Sequence, residues 1–347
     1  MADETLTLPL NKYIALPKVE LHRHLEGSLR LSTMLDIARK HGVTVPVSML
    51  NLSGLVQVQD RDPLTFSNFL EKFKTLRLFY RSPDVIHRVT REAVEDAARD
   101  NVRYMELRFT PVALSRAEGF PLHDVMDWVI TSAQEAAKEY KIKVGLIASV
   151  NRHESPELAE QVAWLAVEHM KNGMVGLDLA GNEAEFKSHP FHNIFKEAKQ
   201  SGLHITIHAG EWGPSENVRD AIENLGAERI GHGVRVLEDK EVTALALEHN
   251  TVFEVCVTSN FQSGVVKQLE DHPLPRMFDK GLKVTVNTDD PSVSRITLSN
   301  EFQTAHEKLN ISLDVLKKSV LLGAESSFLP EVQKAELLQK LRKELDR

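Results

Sequence analysis

The chain has 347 residues, with 42 Lys plus Arg against 50 Asp plus Glu, a formal charge of −8 with histidine neutral. That balance excludes a nucleic-acid binder working through bulk positive charge, and 27% charged with 42% apolar residues excludes fibrous and disordered classes. The single cysteine, Cys256, excludes an intramolecular disulfide, a Cys-rich zinc site and a redox Cys-x-x-C pair, and points to a reducing compartment.

The chain opens on Met1-Ala-Asp-Glu4 and reaches Leu8-Pro-Leu-Asn11 without a basic or apolar leader, so a cytoplasmic location is expected. No stretch approaches the roughly 20 apolar residues that span a bilayer. The Asn-x-Ser matches at Asn51 and Asn310 then read as chance. Nothing in the composition sets an oligomeric state.

Short β-branched or apolar runs recur at 19–24, 102–109, 143–150, 173–179, 204–208, 229–236, 252–257 and 283–287. Stretches of helical period lie between them, such as 83–99, 123–140, 156–171, 191–200, 215–225 and 240–249, several opened by Ser, Asp or Pro. Repeated strand-helix units imply a parallel sheet. An open doubly wound sheet and a closed (β/α)₈ TIM barrel both fit the alternation; eight units select the barrel, whose norm of about 250 residues leaves spare length. The surplus falls at 32–80, after the first strand, and in the tail beyond Ile311, which reads as two helices around Leu329-Pro330. With no Gly/Ser-rich linker, internal repeat or low-complexity segment, one barrel domain over 1–347 is expected.

A barrel of this kind works at the C-terminal ends of its strands, and ligand-type residues gather there on four of them. Strand one ends His22-Arg-His24-Leu-Glu26-Gly27; alternation with period two puts both imidazoles on one face. Strand five ends His208-Ala-Gly-Glu211, where Gly210 allows a sharp turn. Strand six carries Gly231-His232-Gly233, an imidazole flanked by residues that let backbone or ligand approach closely. Strand eight ends Asn287-Thr-Asp289-Asp290-Pro291, and adjacent acids repel unless a cation sits between them. Each motif alone also suits packing; their coincidence at one barrel mouth predicts a metal centre. Three imidazoles and a carboxylate without thiolate suit Zn²⁺ with an open position, while Fe²⁺, Co²⁺ and Mn²⁺ remain compatible. Such an ion lowers the pKa of bound water from about 15.7 to about 7, which makes the chemistry a hydrolytic attack.

His22-x-His24-Leu-x-Gly27, Asp178-Leu-Ala-Gly181-x-Glu183, His208-Ala-Gly-Glu211, Gly231-His232-Gly233, Thr258-Ser-Asn260 and Thr288-Asp289-Asp290-Pro291 resemble, in order, the motif series of the adenosine deaminase family. The resemblance runs over roughly residues 16–302. It implies a (β/α)₈ barrel with one Zn²⁺ held by His22, His24, His208 and Asp289. It also implies Glu211 as proton donor to purine N1, His232 as the group that orients and deprotonates the metal-bound water, and Asp290 as hydrogen-bond partner of the hydroxide and N7. Gly181 would offer its N–H to N3. The chemistry is coherent without the family: a purine C6 becomes electrophilic when N1 is protonated, which needs a carboxyl held neutral at Glu211. Attack at C6 and loss of ammonia leave a 6-oxopurine. The implied substrate is adenosine or 2′-deoxyadenosine.

Glu26 stands where the family typically has an Asp near the ribose 5′-hydroxyl. Glu there resembles adenine deaminases and relatives acting on modified nucleosides, so adenine, 6-amino-6-deoxyfutalosine and N6-methyl-AMP are alternative substrates. The runs 209–216 and 287–293 resemble the nucleoside enzymes more closely. Phe66, Phe69 and Phe73 have helical spacing, which suits either core or a cover over substrate. Glu106 and Arg108 share a strand face and are expected to form a buried polar layer supporting the ligands, with Asp178 beside them. His204, at the far end of its strand, reads as structural. A phosphotriesterase-like barrel would place a lysine at the end of strand four, where Asp178-Leu-Ala-Gly181 stands, and the His-x-Glu with Pro-Cys-x-x-Cys signature of cytidine-type deaminases is missing.

Overall fold

A computed structural model describes residues 8–46 and 48–346. Eight strands, β1 (Lys18–His24), β2 (Val102–Phe109), β3 (Lys143–Asn151), β4 (Met174–Ala180), β5 (His204–Ala209), β6 (Arg229–His232), β7 (Val252–Val255) and β8 (Lys283–Val286), pair in sequence order through parallel ladders. The two ends of the sheet meet at the barrel mouth. Arg23 bridges Asp289, the His24 N–H donates to the Asp289 carbonyl at 2.8 Å and the Asp289 N–H to the His22 carbonyl at 3.0 Å. The fold is a (β/α)₈ barrel, as the eight strand-helix units implied.

The helices follow from ordinary local signals. In Pro83–Arg99 the Ser82 hydroxyl accepts the Val85 N–H, a proline opens the first turn, and Val85, Ile86, Val89, Ala93 and Ala97 turn one apolar stripe inward. The surplus after β1 forms the helices Leu31–His41, Met49–Val56 and Phe66–Leu76. The tail forms Leu313–Glu325 and Glu331–Leu345 on either side of Leu329-Pro330. Only the second of these is an addition to the barrel. Leu313–Glu325 covers the junction of β8 and β1, with the Ser319 hydroxyl donating to the Val284 carbonyl at 2.9 Å, and so completes the helical ring. A helix over Leu8–Ala15 precedes β1, a segment to which the sequence analysis assigned no element.

Two strands fall two or more residues short of their apolar runs. The run at 229–236 leaves the sheet after His232 because His232 and Gly233 both adopt left-handed backbone, with φ of 60° and 61°. The run at 252–257 ends at Val255, and the helix Val257–Gln262 follows at once. The barrel interior is charged where (β/α)₈ barrels usually stack branched apolar residues. Arg229 donates to Glu254 at 2.5 Å and pairs with Glu106, so this buried guanidinium is met by opposite charges. The Phe328 ring lies 3.4 Å from the Arg229 guanidinium, and its N–H donates to Glu106 at 2.7 Å, closing the N-terminal end. The C-terminal end stays open.

Candidate active site

The alternation of β1 puts His22 and His24 on the same inner face, with ring centroids 5.3 Å apart. His208 arrives at the end of β5 and Asp289 just past β8. The Nε2 atoms of His24 and His208 lie 3.2 Å apart, and Asp289 Oδ1 lies 3.2 Å from His22 Nε2 and 3.4 Å from His24 Nε2. Metal–nitrogen bonds of about 2.0–2.1 Å place tetrahedral ligand atoms about 3.3 Å apart, so the four donors already stand at coordination spacing.

Their chemistry agrees with their spacing. His22 Nδ1 donates to Glu254 at 2.8 Å and His208 Nδ1 donates to Asp178 at 2.9 Å, which fixes both tautomers with the Nε2 lone pair facing inward. His22 Nε2 is buried without a hydrogen-bond partner. Burial, with the Asp178 pull outweighed, holds His208 below the ordinary imidazole range, and burial holds His24 well below it. Burial and Arg108 also press His22 downward, but the carboxylates of Asp289 and Glu254 outweigh them and raise it. The residues present fit a divalent metal ion.

The supporting layer is partly the one the sequence suggested. Arg108 donates to Glu254 at 2.6 Å and sits 3.3 Å from Asp178. Burial opposes charge on Asp178, yet His208 and Arg108 hold its carboxyl well below the usual range. Glu106 lies one layer lower, tied to Arg229 and to the Tyr104 hydroxyl. Glu254, missed in the sequence, joins His22, Arg108, Arg229 and Thr206. Its only local signal is an acid inside an apolar strand. His204 bonds Glu228 and stacks on Phe328 outside the site.

A cavity of about 290 Å³ opens over the donors, lined by Glu26, Gly181, Glu211, His232, Asp289 and Asp290 among others. His24 and His208 line it as well, so these sequence candidates meet at one mouth, with His22 buried beside them. Burial, then the charges of Asp289 and Glu183, push the Glu211 carboxyl well above its ordinary range. Burial with Asp289, Glu26 and Glu211 does the same to Asp290. His232 Nε2 lies 3.7 Å from Glu211 Oε2 and 3.9 Å from Asp289 Oδ2. His232 and Asp289 both hold left-handed φ, 60° and 67°, strain of the kind that collects at functional sites. Gly27 is required for space, since a Cβ there would fall 1.9 Å from Asp290 Oδ1. Glu26 accepts the Thr110 N–H at 2.6 Å through one oxygen and leaves the other buried without a partner.

Phe66, Phe69 and Phe73 all line the cavity, and Phe66 packs on Trp212 with centroids 4.2 Å apart. The helix Phe66–Leu76 thus serves both readings, core and cover. Glu183, quoted only as part of a motif, organises the Glu211 loop by accepting the N–H groups of Gly210, Glu211 and Trp212 at 3.0, 2.6 and 2.8 Å. On the helix after β7, the Ser259 hydroxyl donates to Asp289 at 2.6 Å and the Asn260 amide to His232 at 3.1 Å. Their motif had been visible and their contacts had not.

Fold and site together define a barrel hydrolase of the amidohydrolase type. The adenosine deaminase family model matches residues 17–344. An adenosine deaminase of Clostridium perfringens is 37% identical over 322 residues, covering 93% of this chain and 97% of that protein. Among solved structures, the adenine deaminase of Arthrobacter aurescens superposes with a TM-score of 0.88 at 27% identity, covering 96% of this chain and all (100%) of that one. An amidohydrolase from Burkholderia ambifaria with bound Zn gives 0.89 at 26% identity, covering 100% and 95%. The chain belongs to the adenosine deaminase family. It is a hydrolytic deaminase.

Proposed function

We propose that the chain hydrolyses the 6-amino group of a purine nucleoside in a zinc-dependent reaction, converting adenosine or 2′-deoxyadenosine to inosine or 2′-deoxyinosine and ammonia. The observation that carries this reading is Glu211, a buried carboxyl pushed toward its protonated form beside a set of inward imidazoles. A neutral carboxyl can give a proton to purine N1 and so open C6 to attack.

His22, His24, His208 and Asp289 would hold the ion, one per chain; when bound it supplies Lewis acidity that eases loss of a proton from water near neutral pH. Glu183 holds the loop that aims Glu211. His232 orients the attacking oxygen from the wall of the cavity, and Asp290 hydrogen-bonds that oxygen and N7, a role supported by its Oδ1 being buried without a partner. The Gly181 N–H reads N3. Phe66, Phe69 and Phe73 exclude water from the apolar side of the purine. The single buried cysteine, Cys256, suits a cytoplasmic setting, and the charge balance suits a small-molecule partner with neither nucleic acid nor membrane. No helix among the described residues is long and apolar enough to cross a membrane.

Glu26 supports a second reading. Its buried, unpartnered oxygen is free to take a hydrogen bond from a free base, and one structure that this chain resembles in fold is an adenine deaminase. The deciding experiment is a substrate panel on zinc-quantified protein, covering adenosine, 2′-deoxyadenosine, adenine and N6-methyl-AMP, ranked by kcat/KM with amine release (ammonia, or methylamine from N6-methyl-AMP) and the ultraviolet change as readouts. Adenosine leading supports the first reading and adenine leading the second. No ammonia from any of them refutes both.

A further inference from the structure

Asn260 and His272 lie behind His232, away from the cavity, and all three are buried to within 2% of full enclosure. The Leu274 N–H donates to His272 Nδ1 at 3.1 Å. His272 Nε2 lies 3.4 Å from Asn260 Oδ1, and Asn260 Nδ2 lies 3.1 Å from His232 Nδ1. Burial, with Arg276 adding to it, pushes the His272 imidazole down to about 3, so the ring is neutral and carries one proton.

The direction of this chain of hydrogen bonds is set at its outer end. An imidazole can swap tautomers and an amide can turn over, but a backbone N–H can only donate. Because Leu274 donates, His272 Nδ1 must accept, and the His272 proton lies on Nε2. That proton faces an acceptor, so Asn260 presents Oδ1 to His272 and its NH₂ to His232. His232 Nδ1 must then accept, and the proton of the ring lies on Nε2, toward Glu211 and Asp289.

We propose that Asn260 and His272 are positioning residues that hold His232 in its Nε2–H tautomer, so that His232 gives a hydrogen bond into the cavity and does not take a proton there. A proton on Nδ1 would face the Asn260 NH₂, donor against donor, and turning the amide over would break its bond to His272. The deprotonating part that the family resemblance implies for His232 is therefore the part that its surroundings oppose. The arrangement of protons is independent of the substrate; its effect on turnover rests on the function proposed above.

The test is nitrogen NMR on protein labelled with ¹⁵N-histidine, with and without zinc, the His232 signals being identified by their loss in His232→Gln. Wild type is expected to show His232 with a protonated Nε2 and a bare Nδ1 in both preparations. The opposite tautomer, or an imidazolium at neutral pH, overturns the proposal without any variant being needed. Asn260→Asp sets an acceptor opposite Nδ1 and is expected to draw the proton to that side, with kcat lowered by about 10–100-fold and KM little changed. His272→Gln, which can still accept at one end and donate at the other, is expected to recover more turnover than His272→Leu. An unchanged His232 signal in Asn260→Asp counts against the proposal. Wild type with the expected tautomer and no turnover across the substrate panel would instead sink the deaminase reading and leave the relay standing.

Discussion

Glu183 and Glu211 are both buried carboxyls within one loop system, and their surroundings give them opposite parts. Glu183 spends its oxygens on three backbone N–H groups and the Asn217 amide. Glu211 faces Asp289 and Glu183 charge in a dry pocket and keeps its proton. Glu211→Gln preserves shape and removes that proton, so kcat should fall by about 10²–10⁴-fold while inosine still binds nearly as well, measured by steady-state kinetics and product titration. Since the protonated acid is the working form, wild-type activity should decline as pH rises through the elevated Glu211 pKa. A second residue-scale test concerns Asp178, which fixes the His208 ring. Asp178→Asn should weaken zinc affinity by about 10–100-fold in a chelator competition; an unchanged affinity would mean that the tautomer is set elsewhere.

The helices after β7 and β8 join through one carboxyl. Glu301, on the helix Leu298–Glu307, accepts the Thr258 N–H at 3.1 Å, and burial raises its pKa to about 7. A carboxyl raised in the native state binds a proton that the unfolded chain lacks, so its contribution is fully present below the ordinary pKa near 4.5 and is lost as pH climbs through about 7. A shift of this size corresponds to about 3 kcal/mol. Glu301→Gln keeps an acceptor for Thr258 and cannot ionise. At pH 8 it should be more stable than wild type, by up to about 3 kcal/mol, and at pH 5 the gain should shrink, as read from thermal midpoints at the two pH values. A gain independent of pH would contradict this account.

The sheet closes at its mouth, where β1 and the end of β8 share the Arg23–Asp289 bridge. The four proposed ligands come from β1, β5 and the turn after β8, so an ion bound by them would clip the barrel across its open end. Anything that binds only the folded chain stabilises it by mass action, about 2.7 kcal/mol at a hundredfold excess over Kd. Zinc-loaded protein should therefore melt above chelated protein, and His24→Ala should remove most of that difference. Equal midpoints for loaded and chelated wild type would argue against a metal at this mouth.

Much of this was legible in local pattern. Eight apolar runs separated by helical periods specify strands, helices and their number, and period-two alternation alone puts His22 and His24 on one face. The polar residues that end β1, β5 and β8 could be read as a site because a parallel barrel sends all its strand ends to one side. The rest depends on neighbours far apart in the chain. Glu254 is one acid in an apolar strand until β1 and β2 bring His22 and Arg108 to it. Leu313–Glu325 reads as tail until β8 is seen to lack a covering helix. His232 ends its strand by a left-handed turn that an apolar run does not encode. Periodicity records which way a side chain points, and that much the residues determine by themselves. Which partner it meets, and hence whether it carries a proton, is set only when the closed barrel excludes water and leaves each buried polar atom to find its match within the protein.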